Sequence, residues 1–502
     1  MNRKKTWYNI IFGFGSQIII IALGLVVPRI VLTHYGSDTN GLTSTVTQIF
    51  TYMALLEAGI GQAARNALYA PVKANDKNGI SYIMSVARRY YRKITVYYGL
   101  GVLILSGILP LIIKSKINYW TIFLVVFFEG MSQVVNFWYT ENWMQLLMAE
   151  GENYIKVNAD FLGRVAGYSI KIVLAIMGIN IAFIQLGYFL VSLVKLSYYK
   201  WYMEKNYGWV DYDVAPEDAT LPDRNSYIIT EIAWTIFSST DMIILSMFCS
   251  TELASVYAIY NMVFTNINTL LNSVYWGTNF LLGQAYYESK EKYCKIHDAF
   301  NSIYIGTMTA LMCITYILII PFVQLYTSGV TDVKYVYELL PVGFCLVQIL
   351  SWSRYVGGNL TGIAGYAKII SKISLVEAII NVVGSFALVW KFQILGVIAA
   401  TVIALPIKVI YVTWLTEKKI LCRSCRKTLK ILGVNYLLFI ITVIVKGMIK
   451  FEINSYMDFI KWGIVLTPII FIISIICNAL VNPEFIKIIF QKKLKKIVYK
   501  TY

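Results

Sequence analysis

The sequence predicts an all-α polytopic membrane protein. It would have about 14 transmembrane helices, arranged as two six-helix bundles in parallel pseudo-twofold repeat plus two C-terminal helices. Three observations predict this. Hydrophobic residues make up 58% of the 502 residues and charged residues 14%, against about 25% charged in soluble proteins, and mean hydropathy is +0.63. Apolar runs of about 20 residues, enough to cross a bilayer as helix, recur from end to end. The basic residues collect in alternate connectors between those runs.

The first run follows a basic flank, MNRKKTW, and extends to about Leu32. It is too long for a signal-peptide core and lacks an A-x-A site, so it is expected to stay as an uncleaved anchor. Spans are expected at 8–32, 42–63, 94–113, 118–140, 158–178 and 180–201. A second set follows at 227–249, 255–280, 301–323, 336–359, 372–391 and 393–415, and two more at 428–447 and 459–480. With the N-terminus inside, 31 of the 44 Lys and Arg residues fall in inner segments, seven in outer loops and six within spans. That asymmetry puts both termini in the cytoplasm.

The longest polar connector, 203–226, is acidic, with Asp211, Asp213, Glu217, Asp218 and Asp223, and lies near the middle of the chain. Local patterns repeat across it at one offset. GLTSTVTQ (41–48) resembles ASVYAIYN (254–261), NYIKV (153–157) resembles GYAKI (365–369), and Arg29 falls on Asp241, at offsets of 212 or 213. The expected organisation is therefore an N-terminal bundle at 1–202, a cytoplasmic linker at 203–226, a C-terminal bundle at 227–417, and two additional helices with a basic tail at 418–502. Halves with an even number of spans enter the membrane alike and are related by an axis along its normal.

The net charge of +17 raises nucleic acid as a partner, but the charges sit in short segments between spans, where topology needs them. Of seven cysteines, Cys422 and Cys425 form a lone C-x-x-C, and His34 and His297 are the two histidines, too few for a structural zinc site. No metal, cofactor or disulfide is expected. There is no phosphate-binding G-x-x-x-x-G-K-[ST] and no H-E-x-x-H. Asp211-Tyr212-Asp213 has the D-x-D form of some glycosyltransferases, but it lies in an acidic linker. Most of the 38 tyrosines suit membrane interfaces, and some could stack on sugars.

Ionisable groups within spans cost about 2.5–3.5 kcal/mol each on insertion scales, so they face a cavity or pair. Here they are Arg29, Glu57, Glu129, Asp160, Arg164, Lys171, Glu231, Asp241, Arg354, Glu377 and Lys408. Asp160 and Arg164, four apart, are expected to pair on one helix face. Arg29 and Asp241 would oppose each other across a cavity, against the alternative that each pairs locally. Glu57 stands eight residues before Arg65, too far for an easy bond. It either packs among Ala58, Gly59 and Gly61 or serves an inner vestibule.

PRIVLTHYGSDTNGL, then Q-x-F-x-x-Y-x-x-L-L-E-x-G-I-G and ALY, together with STDMIILSMFCSTELASVYAIYNMV (239–263), resembles bacterial polysaccharide flippases. These belong to the multidrug/oligosaccharidyl-lipid/polysaccharide exporter superfamily. The resemblance implies two bundles, a central cationic cavity and alternating access. It implies a flippase carrying an undecaprenyl-pyrophosphate-linked oligosaccharide from the inner to the outer leaflet, for surface polysaccharide synthesis. On that reading the cavity candidates are Arg29, Glu57, Arg65, Arg164, Asp241 and Arg354. Arg29, Arg164 and Arg354 would grip the pyrophosphate, and Glu57, Asp241 or Glu377 would serve ion coupling. The partners would be the lipid-linked oligosaccharide, membrane lipids, and polysaccharide polymerase and glycosyltransferases, in the bacterial cytoplasmic membrane. The alternative is an ion-coupled multidrug exporter. A membrane glycosyltransferase or polymerase fits less well, because the first outer loop, THYGSDTNG, holds Asp38 as its lone acid.

Overall fold

The structure, a computed structural model, describes residues 3–56, 60–214, 235, 240–278, 282, 285–286, 288–448, 453–483 and 485. These residues are helical or in turns, with no strand among them. Eight helical stretches among them are long and apolar enough to cross a membrane. The chain is a multi-pass membrane protein. It divides into two compact units, one of Met1–Val256 with Gly329–Val333, the other of Tyr257–Ser328 with Lys334–Tyr502.

The first unit begins with α1 (Arg3–Met53), which holds the first expected span and much of the second in one bent helix. The bend is at Gly36, with φ 81° and ψ 178°, a conformation that only glycine adopts without strain. Helices α2 (Ile60–Ala74), α3 (Lys77–Ile112), α4 (Tyr119–Val135), α5 (Glu141–Ala149), α6 (Asn153–Ile176) and α7 (Ile181–Tyr207) follow. Side-chain caps set several starts: Asp76 accepts from the Asn78 and Gly79 amides, Asn118 from Trp120, and Asn180 from Ala182. Each satisfies amides that an uncapped helix would leave bare. Between α4 and α5 the chain makes a π turn over Asn136–Thr140. The core gathers on Phe50, Tyr98 and Phe137, whose rings meet at 5.0 and 6.2 Å.

Helical residues 240–248 and the start of α8 (Thr251–Thr278) belong to this first unit, which runs on to Val256, past the expected linker at 203–226. Polar bonds to α1 explain it. Tyr52 bonds Thr240, Thr45 bonds Ser246, Thr251 donates to Asp38, and Asn40 Nδ2 donates to Ser255 Oγ at 2.8 Å. Gly41 makes the crossing possible, since a Cβ there would stand 1.7 Å from the Thr251 carbonyl oxygen. Of the expected linker, Asp211 is held by its amide on Ser81 Oγ and Tyr212 lies under Arg88. Residues 215–226 lie outside the described residues.

Loops that the sequence assigns to one membrane face meet in this unit. Asp332 accepts from the Ser37 amide at 2.7 Å and from the Ser37 hydroxyl. It thereby caps the second half of α1, as a carboxylate at a helix N-terminus should. Asp38 also accepts from the Lys116 amide, and Lys116 pairs with Glu252 at 3.0 Å. Burial alone would raise the Glu252 pKa. The bonds from Lys116, Ser250 and its own backbone outweigh that and hold it below the ordinary carboxylate value.

The second unit takes the rest of α8, then α9 (Lys290–Tyr326), α10 (Leu340–Ser353), α11 (Tyr355–Ile363), α12 (Ala367–Trp414), α13 (Arg426–Met448) and α14 (Tyr456–Val481). Here α12 covers two expected spans and breaks at Gln393, with φ 48°. Gly396 comes so close to the first half that a Cβ would lie 2.5 Å from the Leu388 carbonyl oxygen. The added pair, α13 and α14, is pinned to α9. Asn435 and Asn478 exchange amide bonds at 3.0 and 3.2 Å, and Ser474 donates to the Gly306 carbonyl.

Candidate functional site

Within the first unit, α4, α6 and α7 each turn a polar stripe toward one space. On α4 and the π turn it is Glu129, Ser132, Gln133 and Asn136; on α6, Asp160, Gly163 and Arg164; on α7, Tyr188, Ser192 and Lys195. The spacing is helical, three or four residues apart, so each stripe is one face. The π turn begins at Asn136, and such turns are frequent at functional sites. Two glycines bring α6 and α7 close: a Cβ on Gly163 would touch the Lys195 chain at 3.2 Å, and one on Gly167 would meet the Tyr188 ring at 2.7 Å. Close approach at small-x-x-x-small positions is how membrane helices pack polar groups against each other.

The stripes line a partly open cavity of about 200 Å3. Asp160 pairs with Lys195 at 2.5 Å rather than with Arg164, which corrects the expected Asp160–Arg164 pair. The reason is the Gly163 notch, which admits Lys195 from α7. Glu129 accepts from the Gln185 amide. Arg164 is exposed, lines the cavity, and has no acid within ion-pair distance among the described residues. Lys171 stands over the Tyr188 ring at 4.1 Å. A guanidinium outside any ion pair, a carboxylate with a neutral partner and several amides thus share one polar space. Such a set can hold an anion by forked bonds and hydroxyls by the amides and acid.

The other sequence candidates are dispersed. Arg29 is half-buried on α1, seven residues before the Gly36 bend. Asp241 is buried beside Thr240. Arg65 on α2 donates from Nε to Gln145 at 3.1 Å. Glu57 lies outside the described residues. In the second unit Arg354 is buried and bonds Glu377, and Lys408 stands 3.7 Å from the same carboxylate. One acid therefore carries two cations. This commits Arg354 inside its own unit and leaves Glu377 already neutralised. Sequence reasoning singled out Glu129 and Lys171 as costly to bury but gave them no role, and it missed Gln133, Asn136, Tyr188 and Lys195. The three-to-four spacing of polar residues along otherwise apolar spans was the signal for these.

A second polar cluster joins α9 to the start of α13. His297, Asp298 and Glu417 come together there with metal-ligand composition. Arg423 holds both acids, at 2.5 and 3.0 Å to Asp298 and 2.5 and 3.0 Å to Glu417. Lys427 adds a bond to Asp298 at 2.9 Å and Thr428 one to Glu417 at 2.7 Å. Burial alone would lower the Arg423 pKa, but the two acids outweigh it and push it above its ordinary value. The cluster is a closed ion network that ties three segments of the second unit.

No family model and no curated protein sequence matches the chain. Solved structures do. The lipid II flippase MurJ in an inward closed conformation is similar with TM-score 0.69 and 12% identity, over 93% of this chain and 98% of that one. An inward-facing multidrug resistance MATE transporter of the MOP superfamily is similar with TM-score 0.61 and 14% identity, over 87% and 99%. A MOP superfamily transporter from Pyrococcus furiosus, described by the reversed polarity of its binding pocket, gives TM-score 0.57 and 13% identity, over 82% and 94%. The chain has the fold of this superfamily, as the sequence resemblance implies.

Proposed function

We propose that the protein is a flippase for a lipid-pyrophosphate-linked oligosaccharide, moving it between leaflets of the bacterial cytoplasmic membrane by alternating access. One observation carries the reading: Arg164, exposed to a polar cavity, makes no ion pair among the described residues, although Asp160 and Glu129 line the same cavity. A charge in that position is expensive unless it meets water or an anion. The guanidinium fork matches phosphate oxygens with two parallel bonds. Glu129, Gln133 and Asn136 supply acceptors and donors for hydroxyls close to the anion. A glycan head group cannot cross hydrocarbon bare, at several kcal/mol per unpaired polar group. Its polyprenyl tail can stay in lipid throughout. The similarity to a lipid II flippase supports the same reading.

Outward movement of about two negative charges along an inside-negative potential releases roughly 4.6 kcal/mol per 100 mV, so hydrolysis of a nucleotide is not required. A rival reading is an exporter of organic cations, favoured by Glu129 and the Tyr188 ring facing one cavity. Proteoliposomes separate the two. A flippase translocates a fluorescent undecaprenyl-pyrophosphate oligosaccharide faster with an imposed potential and is indifferent to small organic cations. Uptake of the cations with no translocation of the lipid would overturn the flippase reading.

A further inference from the structure

From Leu253 to Thr278, α8 carries no charged residue. It is also missing from the helices apolar enough to cross a membrane among the described residues, although its 28 residues reach about 42 Å. Its two faces explain this. Tyr257, Tyr260, Phe264, Leu271 and Tyr275 are buried, while Asn261, Asn268 and Asn272 are half-buried and Thr265 is exposed. The steps of four, three and four keep these last four on one face. An amide against acyl chains forfeits its hydrogen bonds, so this face is not built to meet lipid.

The amides are held in one orientation from inside the second unit. Trp352 Nε1 donates to Asn268 Oδ1 at 2.8 Å, and Asn272 Nδ2 donates to the same oxygen at 3.3 Å. Tyr355 donates to Asn272 Oδ1 at 2.5 Å, and Thr265 to Asn261 Oδ1 at 3.3 Å. The carbonyl side of each amide is engaged. The amide N–H groups of Asn261 and Asn268 have no acceptor among the described residues, and they stand about 10 Å apart along the helix. The half-buried Tyr355 ring, stacked on Trp352 at 4.4 Å, backs the same face. Neutral donors beside an aromatic ring, with Arg354 committed to Glu377, suit an uncharged ligand rich in oxygen. They carry no formal charge to match that of a phosphate or a cation.

We propose that the Asn261–Thr265–Asn268–Asn272 face of α8 is a neutral sugar subsite for the glycan part of the substrate. The inference rests on the flippase reading. Its test measures binding to the purified full-length protein with two probes, bare undecaprenyl pyrophosphate and the same lipid bearing a neutral N-acetylhexosamine disaccharide. Wild type binds the glycosylated probe about tenfold more tightly, as two extra net hydrogen bonds would give. The double variant Asn261→Leu/Asn268→Leu loses this preference and keeps its affinity for the bare lipid, which also certifies its fold. Thr265→Val, isosteric and on the exposed face, reduces the preference in the same direction and decides the case if the double variant binds neither probe. Variants that keep the full preference would overturn the subsite. So would a wild type that binds both probes equally, with the flippase reading left standing. A wild type that binds neither probe would remove both.

Discussion

Arg164 is the residue on which the site turns. Replacing it with Gln removes the forked charge-assisted bonds and leaves the helix intact. Affinity for undecaprenyl pyrophosphate should fall by about tenfold to a hundredfold, matching ~1.5–3 kcal/mol for bonds to charged groups. Arg164→Lys keeps the charge without the fork and should fall between. Isothermal titration with the bare lipid checks both, and equal affinities across the three proteins would exclude Arg164 from the site. Glu377 behaves differently. Glu377→Gln leaves Arg354 and Lys408 without their shared carboxylate in a buried setting, at a cost of about 3–5 kcal/mol. The melting temperature in detergent should drop clearly, while lipid affinity per folded molecule holds. At this scale the sequence disclosed the expense of each buried charge but not its partner. Asp160 has Arg164 four residues away on its own helix, yet Lys195 on α7 reaches it, because contacts across helices leave no mark in local spacing.

Helices were more legible than side chains. Apolar length placed most expected spans largely on described helix; the seventh is described only at 235 and 240–248, and residues 57–59 of the second lie outside the described residues. The bends at Gly36 and Gln393 fall in or beside the polar breaks read between spans. The π turns at Asn136–Thr140 and Leu415–Ile420 left no comparable trace, since one extra residue per turn barely disturbs an apolar pattern. Gly167 tests how α6 shapes the cavity. Gly167→Ala puts a methyl 2.7 Å from the Tyr188 ring, so the ring must move. Translocation should fall severalfold with a small change in melting temperature, and an unchanged rate would show that Tyr188 is not needed where it stands. The loop cluster carries a pH prediction. Glu252 titrates below the ordinary carboxylate value. Its contribution is therefore complete at neutral pH and is lost only as acid carries the solution through its lowered pKa. Hydrogen exchange of residues 114–118 and 250–253, taken relative to the intrinsic rate at each pH, should be constant from pH 8 to mildly acidic and rise in stronger acid. Glu252→Gln should show the raised exchange at every pH.

At the scale of the molecule, the two units differ in chemistry. The first presents acids, amides and an uncommitted arginine to one cavity, while the second ties its buried charges together and leaves a neutral amide face. Composition disclosed the membrane class, and the motif resemblance pointed to the superfamily fold. Composition placed the divide at the acidic linker, whereas hydrogen bonds from Thr240, Ser246, Thr251 and Ser255 to α1 carry the first unit on to Val256. Those bonds pair residues about two hundred positions apart, beyond the reach of any local pattern. The central claim is that α4, α6 and α7 surround a wet polar space at bilayer depth. Single cysteines at 133, 136 and 164, in a chain freed of its seven native cysteines, test it most directly. In native membranes a charged, membrane-impermeant thiol reagent should modify all three and spare cysteines at the outward-facing apolar positions 162 and 173. Reaction at 133, 136 and 164 as slow as at 162 and 173 would contradict the account.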